Sequence, residues 1–152
     1  MIEAKRAGLV LESVAVLESK MLSLGAFGKG IVEMIPDEKT EMEVDFRQHN
    51  NDENKKMVIM SVVVQSGKSQ GYHIEMDIIC QFNCENSDEV NDYYTMLCIS
   101  VSKLREAIMQ LTLFGVHGIY TMPLIDCYDL FNRVVKEMKD VDPLPEKEGE
   151  EV

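Results

Sequence analysis

The chain has 152 residues, of which 45% are hydrophobic and 28% charged, and its formal net charge is −12. This length matches one domain with its own hydrophobic core. The excess of acidic residues excludes an ordinary nucleic-acid-binding protein, because such proteins use lysine and arginine to displace counterions from phosphates, and it favours a basic partner.

No N-terminal segment combines the basic start, apolar run and cleavage site of a signal peptide, and no apolar stretch approaches the roughly 20 residues of a membrane span. We therefore expect a cytoplasmic protein without membrane insertion. The cysteines are Cys80, Cys84, Cys98 and Cys127. They lack paired CxxC spacing, which predicts free thiols, no zinc site and no disulfides.

Four segments carry the apolar periodicity of β-strands. They are residues 9–21, 40–48, 57–65 and 72–82. The first is apolar on both faces, and simple alternation predicts that one face holds Val10, Glu12, Val14, Val16 and Glu18. A glycine-containing apolar loop over 22–35 separates the first two strands, and a polar turn over 66–71 predicts a hairpin between the last two.

The C-terminal third changes to helical spacing. Ser87 and Asp88 predict a cap for a short helical turn, and a longer helix follows and ends at Gly115. Pro123 keeps the next apolar segment extended, and a second helix is predicted to begin near Asp126. Strands followed by helices indicate an α+β fold, in which two C-terminal helices pack on one side of a four-stranded antiparallel sheet. We expect one domain over residues 1–140 and a disordered acidic tail over residues 141–152.

Two parts of the sequence resemble a known family. The first runs from Arg105-Glu106-Ala107 through Leu111 and Gly115 to Pro123-Leu124-Ile125, and continues in residues 128–131. The second is residues 71–82, GYHIEMDIICQF, which resembles a strand with an outward glutamate, here Glu75. This pattern resembles the SecB export chaperones and their SecB-like relatives, and it covers the chain from about residue 8 to residue 131.

The resemblance implies an ATP-independent holdase chaperone that assembles as a homotetramer, a dimer of dimers. Its groove, between the sheet and the crossover with the last helix, would bind unfolded polypeptide clients, either exported preproteins or a labile antitoxin. The predicted client-binding residues are Phe27, Met34, Tyr120, Met122 and Leu124. The alternative for each is that it closes an ordinary core.

The resemblance also implies a partner-binding surface on the outward face of the sheet, where SecB docks the motor ATPase SecA through a basic tail. Glu75 carries over from the matching strand, and Asp77 lies two residues further along the same face. Glu12 or Glu18 would supply the acidic residue of the first strand. SecA or an antitoxin is therefore a candidate partner, and no cofactor is expected.

Two other classes of function compete with the chaperone. One is an acidic adaptor, not a chaperone, that binds one folded basic protein. The other is a small-ligand or metal-binding module centred on His73, Glu75 and Asp77. The sequence holds no glycine-rich phosphate loop, nucleophile elbow or HExxH pair, so we predict no catalytic residues, no metal site and no enzyme activity.

Overall fold

The computed structural model describes residues 1, 8–24, 37–67, 71–85 and 89–137. The strands are β1 (Leu9–Ser23), β2 (Lys39–His49), β3 (Asp52–Gln65) and β4 (Tyr72–Cys84), and the helices are α1 (Glu89–Leu111) and α2 (Cys127–Glu137). All neighbouring strands are antiparallel, in the order β1-β4-β3-β2. This confirms the predicted α+β fold. Phe27, Met34 and the tail over 141–152 lie outside the described residues.

The core lies between one side of the sheet and the two helices. Alternate residues of β3 and β4, from Val58 to Val64 and from Tyr72 to Cys84, are buried on this helix-facing side. The helices contribute buried side chains to the same cluster, among them Leu104, Ile108 and Phe131. The other side of the sheet, called the outer face here, carries half-buried and exposed residues because no described element covers it.

β1 departs from simple alternation. Its register with β4 shifts at Glu12 and again at Leu17, which have no opposite residue. Each β-bulge adds one residue and turns the following side chains to the other face. The prediction that Val14 and Glu18 lie on the same face is therefore wrong. Val14 lies on the helix-facing side, whereas Glu18 lies opposite Asp77 on the outer face.

The first helix is longer than predicted. A separate helical turn was expected before Tyr93, but α1 runs without a break from Glu89 to Leu111. This segment contains no glycine or proline that would interrupt a helix. The hydroxyl of the buried Ser100 donates to the Met96 carbonyl one turn earlier, so this polar side chain is satisfied within the helix. No helix in the described part of the chain is long and apolar enough to cross a membrane.

The start of the second helix agrees with the sequence. Asp126 precedes α2, and its carboxylate accepts a hydrogen bond of 3.1 Å from the backbone amide of Asp129. This is the N-cap arrangement, in which a side-chain oxygen satisfies an amide that has no partner within the helix. The polar cap therefore ends the extended segment and begins the helix at the predicted place.

Candidate functional site

Residues 112–126, called the crossover here, join the two helices along a path held by side chains. The hydroxyl of Tyr72 donates to the Gly118 carbonyl (2.7 Å) and accepts from the His117 amide (3.0 Å). The Thr112 hydroxyl accepts from the backbone amide of Tyr120 at 2.9 Å. Arg105, on α1, donates to the Met122 carbonyl at 3.1 Å. The crossover is thus attached both to the sheet and to α1.

The crossover buries two of its apolar side chains and exposes a third. Tyr120 and Met122 point into the core, with 5% and 0% of their surface exposed. Leu124 is 84% exposed. Of the predicted client-binding residues in the described part of the chain, Tyr120 and Met122 therefore close the core in this conformation. Leu124 alone presents its side chain to solvent.

A groove of about 730 Å³ separates the edge strand β2 from the crossover and α2. Apolar side chains line both of its walls. Those of the sheet are Met42 and Val44 on its helix-facing side, with Ile59 on the outer face, and those of the crossover and α2 are Leu124, Ile125, Leu130 and Val134. This is the position, between the sheet and the crossover with the last helix, in which a client groove was expected. The β2 residues were missed as lining candidates, although their clean alternation was the available signal.

The groove carries excess negative charge. Its lining includes five acids, which are Glu43, Asp45, Asp126, Asp129 and Glu137, and one base, Arg133. Arg133 forms an ion pair of 3.0 Å with Asp129, and Asp45 is paired with Arg47 at 2.7 Å. The groove therefore combines apolar walls with an acidic rim, which suits a segment that is both apolar and basic.

Three of the four predicted partner-binding acids share the outer face. Glu18 lies opposite Asp77 across the β1–β4 pair, and Glu75 is two residues away along β4. Glu75 lies 4.0 Å from the Lys20 ammonium, which offsets its charge, and 3.5 Å from a His73 ring nitrogen. Glu12 is separate from this group because it occupies the first bulge.

The candidate metal ligands and the cysteines are placed as follows. Among the described residues, no group of three or more His, Cys, Asp or Glu side chains is placed to hold a metal ion. The cysteines are free thiols. Burial is the larger cause and the neighbouring Cys98 the smaller one, and together they raise the pKa of the Cys127 thiol to about 11. This thiol is thus protonated at neutral pH, when nucleophilic attack would require the thiolate.

Other exposed apolar side chains were not predicted from the sequence. Phe114 is 95% exposed and Val116 65% exposed, both in the turn that follows α1. On β1, Val16 and Leu17 are 47% and 61% exposed. Their periodicity in the sequence predicts burial in the core. The tertiary structure shows that they are exposed instead.

No protein-family model and no curated protein sequence matches the chain. Solved structures do match in fold. One such structure is the Rv1957 SecB-like chaperone of Mycobacterium tuberculosis in complex with a ChAD peptide from the Rv1956 HigA1 antitoxin. It has a TM-score of 0.55 and 12% sequence identity, and the match covers 78% of this chain and 91% of that one.

A second similar structure is a protein of unknown function from Streptococcus agalactiae. It has a TM-score of 0.47 and 12% identity, and the match covers 76% of this chain and 97% of that one. At these identities, the comparison with Rv1957 establishes the fold. The SecB-like fold that residues 71–82 and 105–131 led us to expect is therefore present.

Proposed function

We propose that the protein is an ATP-independent holdase chaperone that binds extended, unfolded polypeptide segments in the groove between β2, the crossover and α2. The observation that carries the proposal is the 84% exposed Leu124 beside an open groove whose two walls are apolar. Burying apolar client surface there would contribute about 25 cal/mol per Å², with little dependence on client sequence. Holding a client this way requires no nucleotide.

The client class follows from the same groove. An unfolded segment exposes apolar side chains that a folded protein hides, and the acidic rim adds attraction for basic residues. The Rv1957 chaperone, which has the same fold, is in complex with a peptide from an antitoxin. We therefore propose a labile antitoxin as one client of the protein, with exported preproteins as the other, in the cytoplasm.

Replacing Leu124 by serine tests the groove. Leu124→Ser should weaken the binding of an unfolded client by about tenfold, because it removes apolar burial worth on the order of 1–2 kcal/mol. The measurement is the fluorescence anisotropy of a labelled, reduced and unfolded substrate. Phe114→Ser is the matched control, since Phe114 is also exposed but does not line the groove. Equal losses in both variants would contradict the placement of the client.

We further propose that the chain assembles as a homotetramer, a dimer of dimers. The support is β1, an edge strand whose Val14, Val16, Leu17 and Leu22 are each at least 40% exposed. Exposed apolar surface of this extent favours burial of these side chains against another copy of the chain. Light scattering should therefore give four times the 17.3 kDa mass of one chain, and Val16→Lys should lower that mass. A wild-type value of one chain mass at micromolar concentration would contradict the tetramer.

One observation favours the second candidate, an acidic adaptor for a folded basic protein. Across the outer face, the strand registers align Glu18, Asp77, Ser61 and Glu43 in one row. Like charges placed opposite each other are unfavourable, and a basic partner would relieve this repulsion. Aggregation assays separate the two candidates: a holdase suppresses aggregation of an unfolded substrate without nucleotide, whereas an adaptor does not.

A further inference from the structure

The two edges of the sheet differ in regularity. β1 contains two bulges along its pairing with β4. β2 pairs with β3 without any shift from Lys39 to Gln48. Bulges interrupt the row of outward backbone donors and acceptors that a further strand needs, and a regular edge keeps that row intact. Within the described residues, no strand pairs with the side of β2 that faces away from β3. This free edge of β2 is regular and could pair with a further strand.

The surroundings of this edge suit an added strand. The side chains of Met42 and Val44 lie on the helix-facing side, below the apolar wall formed by the crossover and α2. Those of Glu41, Glu43 and Asp45 lie on the outer face, because successive side chains of a strand point to opposite sides. A chain extended along β2 would therefore meet an apolar environment on one side and acids on the other.

The charges on the acidic side are not all offset. Glu41 forms an ion pair with Lys39, and Asp45 with Arg47, both within β2. Glu43, between them, forms no ion pair with any described residue. A basic side chain on an added strand would stand next to these carboxylates, at the distance of a cross-strand pair. This charge pattern specifies which kind of segment fits the edge.

We propose that a bound client segment adds to the open edge of β2 as a fifth strand, with apolar side chains under α2 and basic side chains along Glu41, Glu43 and Asp45. The inference rests on the proposed chaperone function and states how that groove recognises its client. Every residue except proline can donate a backbone hydrogen bond to β2, so many client sequences would be tolerated. Segments in which apolar and basic residues alternate would be preferred. At about 3.4 Å per residue, residues 40–45 accommodate about six client residues.

The test uses capped peptides of about eight residues in which valine and lysine alternate. Two N-methylated forms are compared, one methylated at the two central valines and one at the two central lysines. In an extended strand, alternate amides point to opposite edges, so only one of these sets faces β2. We expect that set, when methylated, to weaken binding about tenfold or more, and the other set to change it less than about twofold.

Two further measurements locate the strand and its side chains. On peptide binding, backbone amides at alternate positions of residues 40–45 should become protected from hydrogen exchange, and those of β1 should not. A permuted peptide with the same valines and lysines in two blocks should bind more weakly than the alternating one, because it cannot present one apolar side and one basic side.

The outcomes separate this inference from the proposed function. Equal effects of the two methylated sets, or protection of β1 amides in place of those of β2, would overturn strand addition at β2. If unfolded proteins still bind and Leu124→Ser still weakens their binding, the proposed chaperone function stands without strand addition. If neither the alternating peptide nor any unfolded protein binds, both proposals are wrong.

Discussion

Gly115→Ala is expected to destabilise the protein by about 3 kcal/mol, the upper part of the range for overpacking. A Cβ atom at position 115 would lie 2.9 Å from the Cζ atom of Tyr72, closer still to its hydroxyl, and 3.1 Å from the Thr112 carbonyl oxygen. The ring of Tyr72 cannot move aside easily, since it is 1% exposed and its hydroxyl holds His117 and Gly118. Chemical denaturation measures the loss.

Gly118→Ala is the matched control. Gly118 has a φ of +81°, but a Cβ atom there would meet nothing within 4 Å. Its cost should come from backbone conformation alone, about 1–2 kcal/mol. Tyr72→Phe removes the hydroxyl that a methyl group at position 115 would approach most closely. Combining it with Gly115→Ala should therefore cost less than the sum of the single changes. Additive losses would show that the close approach to the Tyr72 hydroxyl is not the cause.

Phe131→Ala should lower the free energy of unfolding by about 3–5 kcal/mol, which is usual for removing a fully buried phenylalanine. The Phe131 ring is 0% exposed, and its centroid lies 5.9 Å from that of Phe46 and 5.7 Å from that of Tyr94. It therefore joins α2 to both the sheet and α1. Because α2 forms one wall of the groove, client binding should weaken as well.

Phe114→Ala tests whether the effect depends on burial. Phe114 loses the same atoms but is 95% exposed, so its change in stability should stay within about 0.5 kcal/mol. Thermal or chemical unfolding of the two variants under one set of conditions provides the comparison. A large loss in Phe114→Ala would mean that another copy of the chain covers this side chain in the assembled protein.

Much of the secondary structure could be predicted from local patterns. The strand expected over residues 9–21 is observed at Leu9–Ser23, and the one expected over 40–48 at Lys39–His49. The second helix begins directly after Asp126, close to where it was predicted, and Asp126 caps it. Such boundaries depend on the alternation, turn and capping preferences of neighbouring residues, which can be read without knowing what packs against them.

The candidate site could be predicted only in part. Leu124 lines a groove between the sheet, the crossover and the last helix, and its role in client binding stays a prediction. Tyr120 and Met122 have the same apolar character as Leu124, so sequence could not separate them, and packing of the crossover against the core did. Met42 and Val44 of β2 line the groove because pairing with β3 brings them opposite α2, about 80 residues further along the chain.

The sequence by itself determined the order of strands and helices, the acidic character and the polar cap of α2, because each depends on composition or on residues within a few positions of one another. The tertiary structure alone decided the bulges at Glu12 and Leu17, the burial of Met122 and the place of β2 at the edge of the sheet that the described residues form. Each of these is a relation between segments distant in the chain, where strand register and packing volume select one arrangement among several that the local pattern allows.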